Sequence, residues 1–300
     1  MNHSTDSRRK AIVIGGMHRS GTSLAAVLIG NHSQVSMPND EFNFFTKVVK
    51  NRATDRTLED SEASEIFEHT LNLPKVRSWS LPDEIVRHNS QNLRSLGDIY
   101  LHFLNAISLY QNKAIMAEKS PGNEFHYPVL QNWLQDYDFK FIHMVRHPYD
   151  VIISLNNYDK NAYGGKKMNA LQLYSWCKFW NRSVKLGNVR AKTEQGYKMV
   201  QYERLIDMPK AVLSELCHLF EIEDESQIML TTSKVQNNNF NNSSFNSNET
   251  GINVGIIKKS SRRWSRLNLF HRCIVRMLCS SSAGILGYRL PLFKVYDTPS

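Results

Sequence analysis

The chain has 300 residues, enough for one large α/β domain whose core needs no disulfide or metal support. Hydrophobic residues make up 41% and charged residues 22% of the chain, which is ordinary for a globular protein and excludes general disorder. The formal net charge of +9 predicts an anionic partner: a nucleotide, a sulfated or phosphorylated substrate, a nucleic acid or a membrane surface.

The first residues and the cysteines bear on where the protein works. Residues 1–10 are polar and lack the apolar core of a signal peptide. The apolar stretch 11–30 is interrupted by His18, Arg19 and Ser20, so we do not expect it to span a membrane. The four cysteines form no CxxC or Cys/His cluster, which predicts reduced thiols. We therefore expect a soluble, cytoplasmic protein with a flexible N-terminus at residues 1–9.

Short apolar runs alternate with longer amphipathic segments along the chain. The runs predict buried strands at residues 10–15, 114–117, 139–145 and 199–202. The amphipathic segments predict helices at residues 22–30, 93–110, 171–189 and 210–220. This alternation predicts an α/β fold, in which a parallel sheet is flanked by helices on both faces of a single domain over residues 10–290.

Two later stretches depart from the alternation. Residues 236–257 are rich in asparagine and serine and predict a flexible loop within the domain. Residues 258–276 carry seven lysines and arginines, with apolar residues at helical spacing. We keep open a peripheral membrane contact through this basic tract.

The segment 15–23, GGMHRSGTS, lies between a predicted strand and a predicted helix. Its glycines let backbone N–H groups turn towards a ligand, and the helix adds its positive N-terminal end. Arg19 adds a permanent cation, and neighbouring hydroxyls add donors. The segment therefore predicts an anion-binding loop in a P-loop-like fold. Thr22 stands where the nucleotide-binding pattern G-x-x-x-x-G-K-[ST] has lysine, which disfavours a kinase that uses ATP or GTP.

The loop resembles the 5′-phosphosulfate motif of sulfotransferases that use 3′-phosphoadenosine 5′-phosphosulfate (PAPS). It is closer to the R-S-G-T form of the tyrosylprotein and bacterial carbohydrate branches than to the K-S-G-T form of the cytosolic enzymes. The resemblance assigns six residues to the 5′ end of the donor: His18, Arg19, Ser20, Gly21, Thr22 and Ser23.

A second segment strengthens the resemblance. The run RHPYDVIIS, from Arg146 to Ser154, follows a predicted strand, and Pro148 suits the first turn of a helix. It resembles the family's 3′-phosphate motif, which implies that Arg146 and Ser154 bind the 3′-phosphate of PAPS. A structural salt bridge at Arg146 and a neutral helix position at Ser154 are the alternatives.

Two further segments extend the resemblance. Tyr202, in YERL, matches the family's segment near the adenine, although a simple strand end and helix start fits it equally well. Arg262 and Arg263 resemble the late basic loop that closes over the cofactor, and a solvated basic helix face is the alternative there.

The resemblance also implies catalytic residues. Glu41 matches the family's carboxylate after the first helix, so we expect it to be the base; Asp40 and a purely structural acid are its rivals. His102 and His126 are more distant alternatives. Arg19 and Lys119, which lies at a predicted strand end, would stabilise the leaving phosphate, and only Lys119 could donate a proton to it.

These residues predict a PAPS-dependent sulfotransferase that acts on a hydroxyl or amine and releases 3′-phosphoadenosine 5′-phosphate (PAP). We expect a carbohydrate, lipid-linked or small-molecule acceptor, no required metal and no nucleic-acid partner. The alternatives are a nucleotide-dependent kinase and a non-enzymatic basic module that binds nucleic acid or membrane. The identity of the acceptor and the oligomeric state cannot be read from the sequence.

Overall fold

The structure is a computed structural model that describes residues 8–162, 168–230 and 267–293, without the side chains of residues 157–162. Several sequence predictions lie outside these residues: most of the flexible N-terminus, the loop at residues 236–257, and Arg262 and Arg263.

Five parallel strands form one sheet in the order β2-β3-β1-β4-β5. They are β1 (Lys10–Gly16), β2 (Val35–Ser36), β3 (Ile115–Lys119), β4 (Asp138–Val145) and β5 (Tyr197–Gln201). The central strand β1 places Ile14 opposite Lys119 of β3 and Ile142 of β4. Nearly all of β1 is buried, as expected for a parallel strand covered on both faces.

Helices cover both faces of the sheet. They are α1 (Thr22–Gly30), α2 (Asp60–Leu71), α3 (Pro74–Arg77), α4 (Asp83–Arg87), α5 (Leu96–Gln111), α6 (Tyr127–Trp133), α7 (Pro148–Ala162), α8 (Ala170–Thr193), α9 (Tyr202–Asp207), α10 (Pro209–Phe220), α11 (Ser226–Met229) and α12 (Leu269–Ile285). A π-helical turn (Phe45–Val49) and two 3₁₀ turns (Ser90–Asn92 and Asn123–His126) complete the described elements.

Alternate residues of β1 enter different cores, because successive strand side chains point to opposite faces. Ala11 and Val13 pack with α2, α5 and α6, whereas Ile12 and Ile14 pack with α1, α9 and α10. A third apolar cluster joins α7, α8 and α12. The predicted α/β fold, a single domain with helices on both faces of a parallel sheet, is confirmed.

The two edge strands, β2 and β5, differ most from the sequence predictions. β2 has only two residues, too few to produce an apolar run, and was not predicted. The last strand begins at Tyr197, whose ring stacks on Phe141 of the neighbouring strand, and it ends at Gln201. Tyr202 therefore opens helix α9 rather than ending a strand.

The topology brings distant parts of the chain to one edge of the sheet. β1, β3 and β4 are parallel neighbours, so the loop after Gly16, Lys119 and Arg146 all lie at their carboxyl ends. The chain leaves β1 towards β3 on one side and reaches β4 on the other, which opens a crevice at this edge. Among the described residues, no helix has both the length and the apolar character needed to cross a membrane.

Candidate functional site

The loop between β1 and α1 is folded tightly around its glycines. Gly16 and Gly21 have φ angles of 132° and 99°, which favour glycine. A Cβ at Gly21 would lie 2.3 Å from Cδ2 of Tyr202, and one at Gly16 would lie 2.3 Å from the Met144 carbonyl oxygen. The Gly16 N–H donates to Oε2 of the buried Glu124 at 2.8 Å. Only glycine therefore fits this loop at both positions.

The interior of the loop suits an anion. Ser20 is 1% exposed, and its hydroxyl has no hydrogen-bond partner among the residues that the structure describes. Such a group is costly to bury unless a ligand satisfies it. Helix α1 starts at Thr22, where the first backbone N–H groups and the helix dipole also favour negative charge. These groups fit a phosphate.

Arg19 connects the loop to the second predicted motif. Its φ angle is 68°, and its Nε donates to Oγ of Ser154 on α7 at 2.9 Å. The Arg146 Nη1 donates to the backbone oxygen of Arg19 at 3.1 Å. The two motifs, separated by more than a hundred residues in sequence, therefore meet directly. The side chain of Arg19 lies on the Ser154 side of the loop.

Arg146 is nearly buried in a fixed position. Its guanidinium lies over the ring of Tyr202, 4.2 Å from the centroid, and Trp180 donates to its backbone oxygen at 3.0 Å. Because Tyr202 also packs against Gly21, one aromatic ring supports both the loop and the arginine. The Arg146 guanidinium and the Ser154 hydroxyl both contact Arg19, so they lie next to the loop.

Glu41 lies between two ammonium groups. Lys119 Nζ contacts Oε1 at 3.0 Å, and Lys75 Nζ contacts Oε2 at 2.5 Å. Burial would raise the pKa of Glu41, but Lys119 and Lys75 outweigh it and lower the pKa to about 2. Lys119 also donates to Oγ of Ser23 in the loop at 3.3 Å, so the carboxylate and the anion-binding loop share one cation.

A buried network holds the segment that carries Glu41. The Asn43 N–H donates to Ser120 Oγ at 2.8 Å, and Ser120 donates to Glu118 Oε2 at 3.0 Å. Tyr100 donates to the other oxygen of Glu118 at 3.0 Å. Burial raises the pKa of Glu118 to about 7, despite these donors. The Glu41 segment is thus tied to β3 by hydrogen bonds.

The sequence predictions for the site divide into three groups. The structure brings together the residues of the two motifs with Glu41, Lys119 and Tyr202. It does not bring in the two distant histidines: His102 contacts the Val86 backbone oxygen at 2.6 Å, and His126 stacks on Phe45 at 4.2 Å. The rival acid Asp40 lies at the site, where it pairs with Lys75 at 3.3 Å.

Four contributors were missed by the sequence reasoning: Lys75, Asn43, Glu118 and Glu124. Lys75 lies on a four-residue helix far from any motif, and no sequence signal marks it. Glu118 and Glu124 flank the predicted Lys119 segment, but their burial is visible only in the structure.

A separate groove of about 890 Å³ lies between α6 and α8. Its lining includes Lys178, Arg182, Lys185 and Arg190, and it shares no residue with the loops described above. No group of three or more His, Cys, Asp or Glu residues suited to a metal occurs in the described ranges. The expectation that no metal is required stays a prediction.

Comparisons with solved structures agree with the fold. A solved sulfotransferase domain from the Synechococcus PCC 7002 olefin synthase has a TM-score of 0.63 and 19% identity, over 97% of this chain and 99% of that one. The mouse sulfotransferase SULT7A1, solved with PAP, has a TM-score of 0.51 and 13% identity, over 93% and 85% of the two chains.

A sequence relative adds little about activity. An uncharacterised protein of Aquifex aeolicus (strain VF5) is 27% identical over 230 residues, which are 74% of this chain but only 26% of that protein. The chain therefore spans about a quarter of that relative.

A family model described as the sulfotransferase family matches residues 11–226. This match includes the anion-binding loop, Glu41, Lys119 and the Arg146 motif. Because it covers well over half of the chain, the prediction from the motifs is confirmed: the protein belongs to the sulfotransferase family of enzymes.

Proposed function

We propose that the protein transfers a sulfonate group from PAPS to a hydroxyl or amine of a carbohydrate, lipid-linked or small-molecule acceptor. The observation that carries this proposal is the direct junction of two anion positions, at the Ser20 loop and at Arg146, beside one buried cation and carboxylate pair. PAPS has a phosphate group at each end of its ribose. The mouse relative solved with PAP supports the same donor.

In this proposal the two anion positions take the two ends of the donor. The loop residues from His18 to Ser23 bind the 5′-phosphosulfate through backbone N–H groups and the Ser20 hydroxyl. Arg146 and Ser154 bind the 3′-phosphate. Arg19 lies between the two positions and can serve both, since its guanidinium carries five donors. Tyr202 keeps Arg146 in place and faces the adenosine.

Glu41 is the proposed base, and PAPS would supply an activated sulfonate with a phosphate as the leaving group. A bond forms between the acceptor oxygen or nitrogen and sulfur while the bond from sulfur to the bridging oxygen breaks. Glu41 accepts the acceptor proton, and Lys119 stabilises the charge that develops on the leaving oxygen. Because Lys119 is buried, its pKa lies below the ordinary value, which also makes it a competent proton donor.

The location of the protein, its membrane contact and its late basic loop were also predicted from the sequence. A cytoplasmic location, a peripheral membrane contact and the late arginines Arg262 and Arg263 stay predictions. The kinase and basic-module alternatives are outcomes of the experiment below.

The test compares donors before it compares acceptors. Calorimetry with PAP should give tight binding, and ATP with Mg²⁺ should give weak binding or none. A screen of hydroxyl and amine acceptors with labelled PAPS should then identify the product. Tight ATP binding with no PAP binding would contradict the proposal, and binding to nucleic acid that survives loss of Arg19 and Arg146 would favour the basic module.

A further inference from the structure

The carboxylate of Glu41 is held by two lysines that differ in their surroundings. Each oxygen has its own ammonium partner, Lys119 on Oε1 and Lys75 on Oε2. The side chain of Lys119 is 3% exposed, whereas that of Lys75 is 41% exposed. One cation is therefore fixed inside the site, and the other stands at its edge.

This arrangement conflicts with the proposed role of Glu41. A general base needs an available oxygen and a pKa near the working pH. Here both oxygens contact ammonium groups, and the pKa of Glu41 lies at about 2 because the two lysines outweigh its burial. Departure of one lysine would leave one oxygen without an ammonium partner and would raise the pKa of Glu41 towards the working pH. Asn43 Nδ2, which donates to Oε2 at 3.2 Å, carries no charge and can stay.

Lys119 is the poorer candidate to leave. It is buried at the end of β3, and it also contacts Ser23 of the donor loop at 3.3 Å. Moving it would take a charged group out of a preformed position and would remove the cation that faces the leaving group.

Lys75 has a second carboxylate, that of Asp40, within reach. Its Nζ lies 3.3 Å from Oδ1 of Asp40 as well as next to Glu41. Asp40 is itself held in place, because its Oδ1 accepts the Glu41 N–H at 2.7 Å and its backbone oxygen accepts from Trp79 Nε1 at 3.3 Å. A small movement of Lys75 exchanges one carboxylate partner for the other and keeps its charge paired.

We infer that Lys75 is a latch on the catalytic base. It holds Glu41 Oε2 in the protein without substrates and moves to Asp40 when the acceptor group reaches that oxygen. Lys119 stays on Oε1 throughout, so Oε2 is the oxygen that accepts the proton. The inference rests on the proposed role of Glu41, and it gives Asp40 a function distinct from that of a rival base.

Four titratable groups surround the Glu41 carboxylate. Lys119 approaches from β3, Lys75 from α3, His18 from the donor loop, and Asp40 is its neighbour in sequence. Loss of the Lys75 charge removes one of the two ammonium groups that oppose the effect of burial, so the pKa of Glu41 must rise. An adjacent opposite charge typically shifts a carboxyl by about 1 to 3 pH units.

The direct test needs no substrate. The carboxyl carbon of Glu41 is followed by NMR over a pH titration, with the signal assigned through Glu41→Gln. We expect Lys75→Met to raise the pKa of Glu41 by about 1 to 3 units. Lys47→Met is the matched control: Lys47 is exposed on the π-helical turn and makes no ion pair among the described residues. An unchanged pKa in Lys75→Met would overturn the latch.

Activity tests the movement itself. The pH profile of kcat/KM reports the pKa of Glu41 in the free enzyme, and that of kcat reports it in the ternary complex. If Lys75 has left Glu41 in the ternary complex, Lys75→Met should raise the acidic pKa of the kcat/KM profile and leave the acidic pKa of the kcat profile as it is in the natural protein. An equal rise of the acidic pKa in both profiles would mean that Lys75 remains on Glu41 during the reaction, which contradicts the inference.

Asp40→Asn supplies a second variant. Without Asp40 as an alternative partner, Lys75 should stay on Glu41, so kcat should fall while PAP binding is unchanged. An unaltered kcat would count against the latch. The proposed function fails separately: full activity in Glu41→Gln would remove Glu41 as the base, whatever the titration of Lys75→Met shows.

Discussion

The two sides of the site are built in different ways. The donor side depends on backbone geometry: glycines with positive φ, the start of α1, and an arginine held by Tyr202. The base side depends on long-range side-chain contacts, in which Glu41, Lys75 and Lys119 come from three separate elements. A site fixed by its backbone is preorganised for one ligand. A site fixed by balanced charges can change its state when a partner moves.

The largest expected effect separates the two sides by function. In Glu41→Gln the acceptor proton has no base, so kcat should fall by about 10² to 10⁴. PAP binding should change little, because Lys119, the cation that Glu41 shares with the donor loop, keeps its contact with Ser23. Initial rates with labelled PAPS and calorimetry with PAP measure the two quantities.

Glu194→Gln serves as the control for Glu41→Gln, since Glu194 is remote from the donor loop and lines the groove between α6 and α8. If Glu41→Gln lost PAP binding along with activity, the division into two sides would be wrong.

The next effect concerns the buried acid beneath the base side. The pKa of Glu118 is raised from an ordinary 4.5 to about 7, so the folded protein holds a proton that the unfolded chain releases. The contribution of Glu118 to the free energy of unfolding should therefore be largest below pH 4.5. It should fall by about 3 kcal/mol as the pH rises to 7. Urea unfolding at several pH values should show this slope reduced in Glu118→Gln.

Glu215→Gln is the matched control for the slope. Glu215 pairs with Arg204 at the surface, and this hydrogen bond lowers its pKa, so the group does not titrate between pH 5 and 7. The same slope in Glu118→Gln and in the natural protein would show that Glu118 is not the titrating group.

The smallest effect tests the backbone of the donor side. In Gly21→Ala a Cβ would stand 2.3 Å from Tyr202 at a φ of 99°, which should cost about 1 to 3 kcal/mol of stability and weaken PAP binding. Gly284→Ala on α12 meets nothing within 4 Å and should leave the melting temperature equal or slightly higher. Equal melting temperatures for the two variants would contradict a glycine-dependent loop.

The same contrast explains what the sequence could predict. The donor loop and the segment from Arg146 to Ser154 are each contiguous, so their residue types and spacing are sufficient to indicate phosphate binding. The strands were visible because parallel strands are nearly all apolar. The donor side of the site was therefore largely predictable.

The base side was only partly predictable, for a physical reason. Glu41 and Lys119 were named from resemblance, but Lys75 comes from a four-residue helix and reaches Glu41 only through tertiary folding. The burial that raises the pKa of Glu118 is likewise a property of the packed core. The direct hydrogen bond from Arg19 to Ser154 could not be read from two motifs so far apart in sequence.

The central claim is that Arg146 binds the 3′-phosphate of the donor. Its most direct test is calorimetry with PAP and with AMP, which lacks that phosphate, on the natural protein and on Arg146→Ala. Loss of a nearly buried charged contact should weaken PAP binding by about 2 kcal/mol or more, at least about 30-fold, and leave AMP binding nearly unchanged. Equal weakening of PAP and AMP would contradict the account.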